Sequence, residues 1–140
     1  MSDLIRDYEG QLWTQSIDWP ENKAEAWGIT KLKGNTAGKS LSTDPAVLHT
    51  GQNSGFAAVN LAFNNLGAKR IILLGFDMMM EGNNRHWFGK HPGTLEVNSC
   101  YSDFIKNFNW IDTKALGIEI WNCTRKTALT CFPCYDLDDL

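Results

Sequence analysis

Apolar and polar positions alternate in short, distinct blocks along the chain. Phe56, Val59, Phe63 and Leu66 recur at three- and four-residue spacing, one stripe of an amphipathic helix. Asn53 or Ser54 is its natural N-cap, and Gly67 its natural stop. Directly after it comes Ile71-Ile72-Leu73-Leu74, closed by Gly75-Phe76-Asp77. That run is too short for a helix and apolar on both faces, the pattern of a central parallel strand. A second stripe of Phe104, Phe108, Ile111 and Ala115 predicts a helix over about 101–116, ended by Gly117. Ile118 to Asn122 follows as another strand, and Ala46 to His49 as a short one before the first helix.

The first fifty residues are less regular. Gln11 to Thr14 and Ile29 to Leu32 read as short strands, and Pro20 to Trp27 as a short helix ended by Gly28. Lys33 to Asp44 is rich in Gly, Ser, Thr and Asn and reads as loop. The succession strand, helix, strand, helix, strand over 46–122 implies an α/β fold: a Rossmann-like, mostly parallel sheet with flanking helices. At 140 residues the chain forms one domain, 1–140.

Composition narrows the partners. A net charge of −3 gives no general attraction to nucleic acid or to anionic membrane. The longest apolar run is far short of the roughly 20 residues that span a bilayer. The N-terminal residues lack the basic and apolar regions of a signal peptide, so a cytoplasmic protein is expected. Cys100, Cys123, Cys131 and Cys134 then read as reduced thiols. Cys131-Phe132-Pro133-Cys134 is a C-x-x-C, but the acidic residues Asp136, Asp138 and Asp139 behind it work against an activated thiolate. Buried or incidental cysteine is the preferred reading, ahead of redox activity or a zinc site using Cys123.

Ligands of open α/β sheets bind outside the carboxyl ends of the strands, and three segments fall on that edge. Gly51, Gln52, Asn53, Ser54 and Gly55 form a glycine-flanked turn into a helix. The free amides and positive dipole end there suit a phosphate, and a simple capped turn explains the same residues. Gly75, Phe76 and Asp77 end the apolar strand. Asp77 suits ribose hydroxyls, a metal or a local cap, and Phe76 suits a base or the core. The loop from Glu81 to Asn98 carries Arg85, His86, Trp87, Lys90 and His91. Its cations match phosphate oxygens, Trp87 matches a base or sugar face, and either His suits general acid–base work. A solvated loop whose aromatics pack on the domain is the plainer reading. Gly34 to Ser40 imitates a P-loop but places three residues between its glycines, where four are needed. His49 reads as a core or turn residue.

Thr50 to Phe56, Leu66 to Met78 and Arg85 to Pro92, with Gly117 to Asn122, Ala128 to Pro133 and the Leu12-Trp13-Thr14-Gln15 segment, resemble a group of phage-encoded proteins often labelled "norphogenetic". More distantly, Ser54-Gly55, the helix and Gly75-Phe76-Asp77 look like the bacterial lipooligosaccharide sialyltransferases. They are also similar to the family of archaeal hydroxymethylpterin pyrophosphokinases and motility accessory factors. The resemblance implies that Asn53, Ser54 and Gly55 hold phosphate or ribose and that Gly75, Phe76 and Asp77 hold the nucleoside. His86 or His91 would be the base of an enzyme. These relatives begin with a further strand–loop–helix half, so the fold is expected to be truncated at its N-terminus and to self-associate through an uncovered strand edge.

The expected function is a phage protein, cytoplasmic in the infected host cell, that binds a nucleotide-type, phosphate-bearing small molecule as a homo-oligomer, without a cofactor. Sequestering a host signalling nucleotide, of ADP-ribose type or cyclic, would suit it. A glycosyl- or phosphoryl-transferase using the His-containing loop is the alternative, and a structural or morphogenetic phage protein a third.

Overall fold

A computed structural model describes residues 8–15, 20–80 and 100–140. The described chain is a mixed α/β structure whose strands pair in parallel throughout. β1 (Leu12–Thr14) pairs with β2 (Ile29–Lys31), joined through helix α1 (Glu21–Ala26). Parallel neighbours require such a crossover. β3 (Lys33–Asn35) pairs with β4 (Val47–His49). Helix α2 (Ser54–Asn64) follows, then β5 (Arg70–Leu73), α3 (Tyr101–Asn109), α4 (Thr113–Leu116) and β6 (Glu119–Asn122), which pairs with β5. A single 3-10 turn covers Leu137–Asp139.

Residues 33–35 are a strand rather than the loop their composition suggests. β2 and β3 are one run of chain interrupted at Leu32. The Leu32 amide donates to the Thr14 carbonyl at 2.8 Å and the Lys33 amide to Ala46 at 2.9 Å. Successive amides thus serve different neighbours, β1 and then β4. Pairing makes the strand, despite a Lys-Gly-Asn sequence with little intrinsic preference for one.

The parallel pairs do not continue into one ladder from β4 to β5. The remaining amides of β4 are already used. Val47 donates to the Asp44 carbonyl at 3.0 Å, and His49 donates to Oδ1 of Asn60 at 2.8 Å. Asn60 is fully buried on α2. The same Oδ1 accepts from the Ser42 amide at 3.1 Å, and its Nδ2 donates to the Ser42 carbonyl at 3.3 Å. One side chain therefore closes a sheet edge and pins the 40–42 loop to the helix, satisfying groups that would be costly to bury alone.

The helix expected over 101–116 is two helices. The chain breaks at Trp110–Asp112, and Asp112 starts α4 by accepting from the Ala115 amide at 2.9 Å. Phe108 and Ile111 are buried across this break, so the stripe survives it. They join Phe56, Val59, Leu73, Ile118, Ile120, Leu129 and Phe132 in one apolar core beneath α2 and the β5–β6 pair. On the opposite face of that pair Arg70 lies 4.0 Å over the Trp121 ring, and Trp121 lies 4.7 Å from Tyr135, tilted by 44°.

Candidate functional site at the strand ends

The corner after β4 is held by its own side chains. Gly51 (φ +50°) and Gln52 (φ +62°) both take left-handed backbone. Asn53 caps α2, its Oδ1 accepting from the Phe56 amide at 2.8 Å, and its Nδ2 donates to the Gly51 carbonyl at 3.0 Å. Asn107, buried on α3, donates to the same carbonyl at 2.7 Å. The amides of Ser54 and Gly55 open the helix. They have no acceptor among the described residues and remain its electropositive end. Gln52 and Ser54 are exposed.

The corner after β5 is clamped to the loop after β6. The Phe76 amide donates to Oγ1 of Thr124 at 2.9 Å. The Phe76 carbonyl accepts from Oγ1 of Thr127 at 2.6 Å, and the Asp77 carbonyl accepts from the Ala128 amide at 2.8 Å. Behind this clamp stands Asn122, fully buried. It donates to the Leu129 carbonyl at 3.0 Å and accepts from the Thr124 amide at 3.1 Å. Gly75 takes φ +72°, a left-handed turn that glycine adopts at little steric cost.

The two corners lie side by side. A methyl carbon built on Gly55 would fall 2.8 Å from Cε1 of Phe76. The Phe76 ring thus occupies the space between them, edge-on to Phe108 at 5.9 Å. It packs on the protein there, and the corners touch through it.

The open space lies on the far side of the β5 corner. A cavity of about 480 Å³ sits at the carboxyl ends of β5 and β6, bordered by Gly75 and Asp77, by Thr124, Arg125 and Lys126, and by the segment Asp136–Asp138. Its size falls within the usual range for small-molecule sites. Arg125 and Lys126 are exposed, and neither forms an ion pair among the described residues. Gly51, Gln52, Asn53, Ser54, Gly55 and Phe76 are not part of its lining. Arg85, His86, Trp87, Lys90 and His91 lie outside the described residues.

Sequence reasoning had not weighed Arg125, Lys126 or the acidic segment as site residues. A signal existed for the cations, because Cys123-Thr124-Arg125-Lys126 directly follows β6, at the same edge that singled out Gly75 and Asp77.

Other chemistry-bearing groups are occupied structurally. Asn35 donates to Nε2 of His49 at 3.3 Å, and His49 Nδ1 lies 3.0 Å from the Ser40 carbonyl. Both ring nitrogens are thus engaged by the fold itself. All four cysteines are free, with Cys123 buried. Burial, seconded by the neighbouring Cys134, pushes the Cys131 thiol up to about 11 against one opposing backbone hydrogen bond. Although the residue as a whole is exposed, its thiol is the protonated form at neutral pH.

Among the described residues no cluster of His, Cys, Asp or Glu is suited to a metal ion. None of their helices is long and apolar enough to cross a membrane. Comparison with family models, with curated proteins and with solved structures gives no match to this chain.

Proposed function

We propose that this protein binds a nucleotide-type, phosphate-bearing small molecule at the carboxyl ends of β5 and β6 and holds it without turnover. The observation that carries the reading is the juxtaposition of Asp77 with Arg125 and Lys126 around one cavity of ligand size. Two cations are the natural partners of a phosphate group. A carboxylate across from them accepts hydrogen bonds from sugar hydroxyls. The rigid clamp formed by Thr124, Thr127 and Asn122 fixes the loop that carries the cations, which lowers the ordering cost of binding.

The same proposal takes the parallel pairs as parts of a Rossmann-like layout and the protein as phage-derived, sequestering a host signalling nucleotide. Self-association belongs with it, since among the described residues β5 has a strand on one side only. Calorimetric titration with a panel of nucleoside monophosphates, cyclic nucleotides and ADP-ribose tests the reading, with mass spectrometry of the recovered ligand. Saturable binding is expected, weakened about tenfold or more by Arg125→Ala with Lys126→Ala, as the loss of charge-assisted hydrogen bonds implies. The ligand should return unchanged. Failure of every member to bind, or recovery of a converted product, would overturn the reading.

A further inference from the structure

The cavity carries charges of both signs, and they are sorted in space. Arg125 and Lys126 stand on the loop after β6, whereas Asp136 and Asp138 belong to the 3-10 turn near the end of the chain and Asp77 to the loop after β5. Three carboxylates and two cations thus line the same space. Beyond Tyr135, whose amide donates to the Asn122 carbonyl at 3.1 Å, the hydrogen bonds of the acidic segment are internal to it. The Asp138 amide donates to Oδ1 of Asp136 at 3.2 Å, the Asp139 amide to the Asp136 carbonyl at 3.2 Å and the Leu140 amide to Leu137 at 3.4 Å. These bonds fold the segment into one 3-10 turn that keeps two carboxylates at the cavity wall. No carboxylate pairs with Arg125 or Lys126 among the described residues.

We infer that the Asp136–Asp138 turn is the specificity wall of this cavity, admitting ligands with a single compact phosphate and a hydroxyl-bearing remainder and excluding polyphosphates. The inference rests on the nucleotide-binding reading and narrows its ligand class to nucleoside monophosphates and cyclic nucleotides, leaving out the pyrophosphate-bearing ADP-ribose. One phosphate ester is neutralised by Arg125 and Lys126, and its sugar hydroxyls donate to the carboxylates opposite. A triphosphate brings further negative charge that the two cations cannot match. It must then lie against Asp77, Asp136 and Asp138, where like charges repel more strongly than in bulk water. Discrimination of this kind works through the repulsive element as much as through the attractive one.

The test is calorimetric titration of the wild-type protein and the Asp136→Asn/Asp138→Asn variant. The probes are adenosine and cytidine mono- and triphosphates in metal-free buffer. Both substituted residues are exposed, and an unchanged circular dichroism spectrum verifies the fold. The wild type is expected to bind the monophosphate at least about tenfold more tightly than the triphosphate, a difference of about 1.4 kcal/mol. In the variant that ratio should fall toward unity because the triphosphate gains affinity. A wild type that binds both alike, or a variant that leaves the ratio unchanged, overturns the specificity wall and leaves the binding reading intact. If neither protein binds any of the four, the specificity wall falls, and the binding reading is decided by the cyclic nucleotides and ADP-ribose of the wider panel.

Discussion

Replacing Gly51 by alanine isolates the geometry on which the β4 corner depends. Two costs add there. The backbone at Gly51 has φ +50°, and a residue with a Cβ loses about 1–2 kcal/mol in left-handed backbone. The new methyl group would also enter the ring of Phe56, which is fully buried in the core. Overpacking of a closed core costs typically about 1–3 kcal/mol. The reduced freedom of the unfolded alanine chain returns about 0.4–1 kcal/mol. The expected net loss is therefore roughly 2–4 kcal/mol. Gly67→Ala is the internal control: its φ of +67° imposes the same backbone cost, but nothing lies within 4 Å of an added methyl. It should lose only about 1 kcal/mol by the same backbone argument. Urea denaturation of both variants, followed by far-ultraviolet circular dichroism, measures the difference. At roughly 2–4 °C per kcal/mol for a domain near this size, melting temperatures should separate by several degrees. Equal losses in the two variants would refute the packing of Gly51 against Phe56.

Two further outcomes are expected. Asn60→Ala leaves the amides of Ser42 and His49 without their acceptor and should cost roughly 2–6 kcal/mol, at about 1–3 kcal/mol per stranded buried group. Hydrogen exchange at those two amides should accelerate ahead of the core, and unchanged protection would count against the network. Cys131, its thiol raised from 9.0 to about 11, should react with iodoacetamide at pH 8 more slowly in the folded protein than in the urea-unfolded chain, read by peptide mass spectrometry, because the thiolate is the nucleophile. The sign for stability follows from the same shift: the unfolded chain ionises near 9 and the folded one near 11, so stability is lost as pH rises across that window. Equal labelling of Cys131 in the folded and unfolded protein contradicts the partial burial of this thiol.

What could be read from the sequence was set by local signals. The α2 helix was legible because its Asn53 cap and apolar stripe agree, and β5 because its run is apolar on both faces. Asn60 was not, since a polar residue inside a helical stripe gives no hint that it serves the edge of a strand eleven residues back. β3 was hidden because Lys33, Gly34 and Asn35 take their strand form from β4. The break at Trp110–Asp112 was masked by a periodicity that continues through it, although Asp112 is itself a capping residue. The strand-end rule identified Gly75 and Asp77, and applied to β6 it reaches Arg125 and Lys126. The approach of Asp136–Asp138 to the same space is a long-range product of the fold that no spacing reveals.

The Arg70–Trp121–Tyr135 stack makes the molecule its own optical reporter. Tyr135 is the last residue tied to β6 before the acidic turn begins, and its ring lies against Trp121. Displacement of that turn changes the surroundings of an indole in contact with both a guanidinium and a phenol. Emission from Trp121, isolated by replacing the other tryptophans with phenylalanine, would thus follow movement of that turn in real time without a dye.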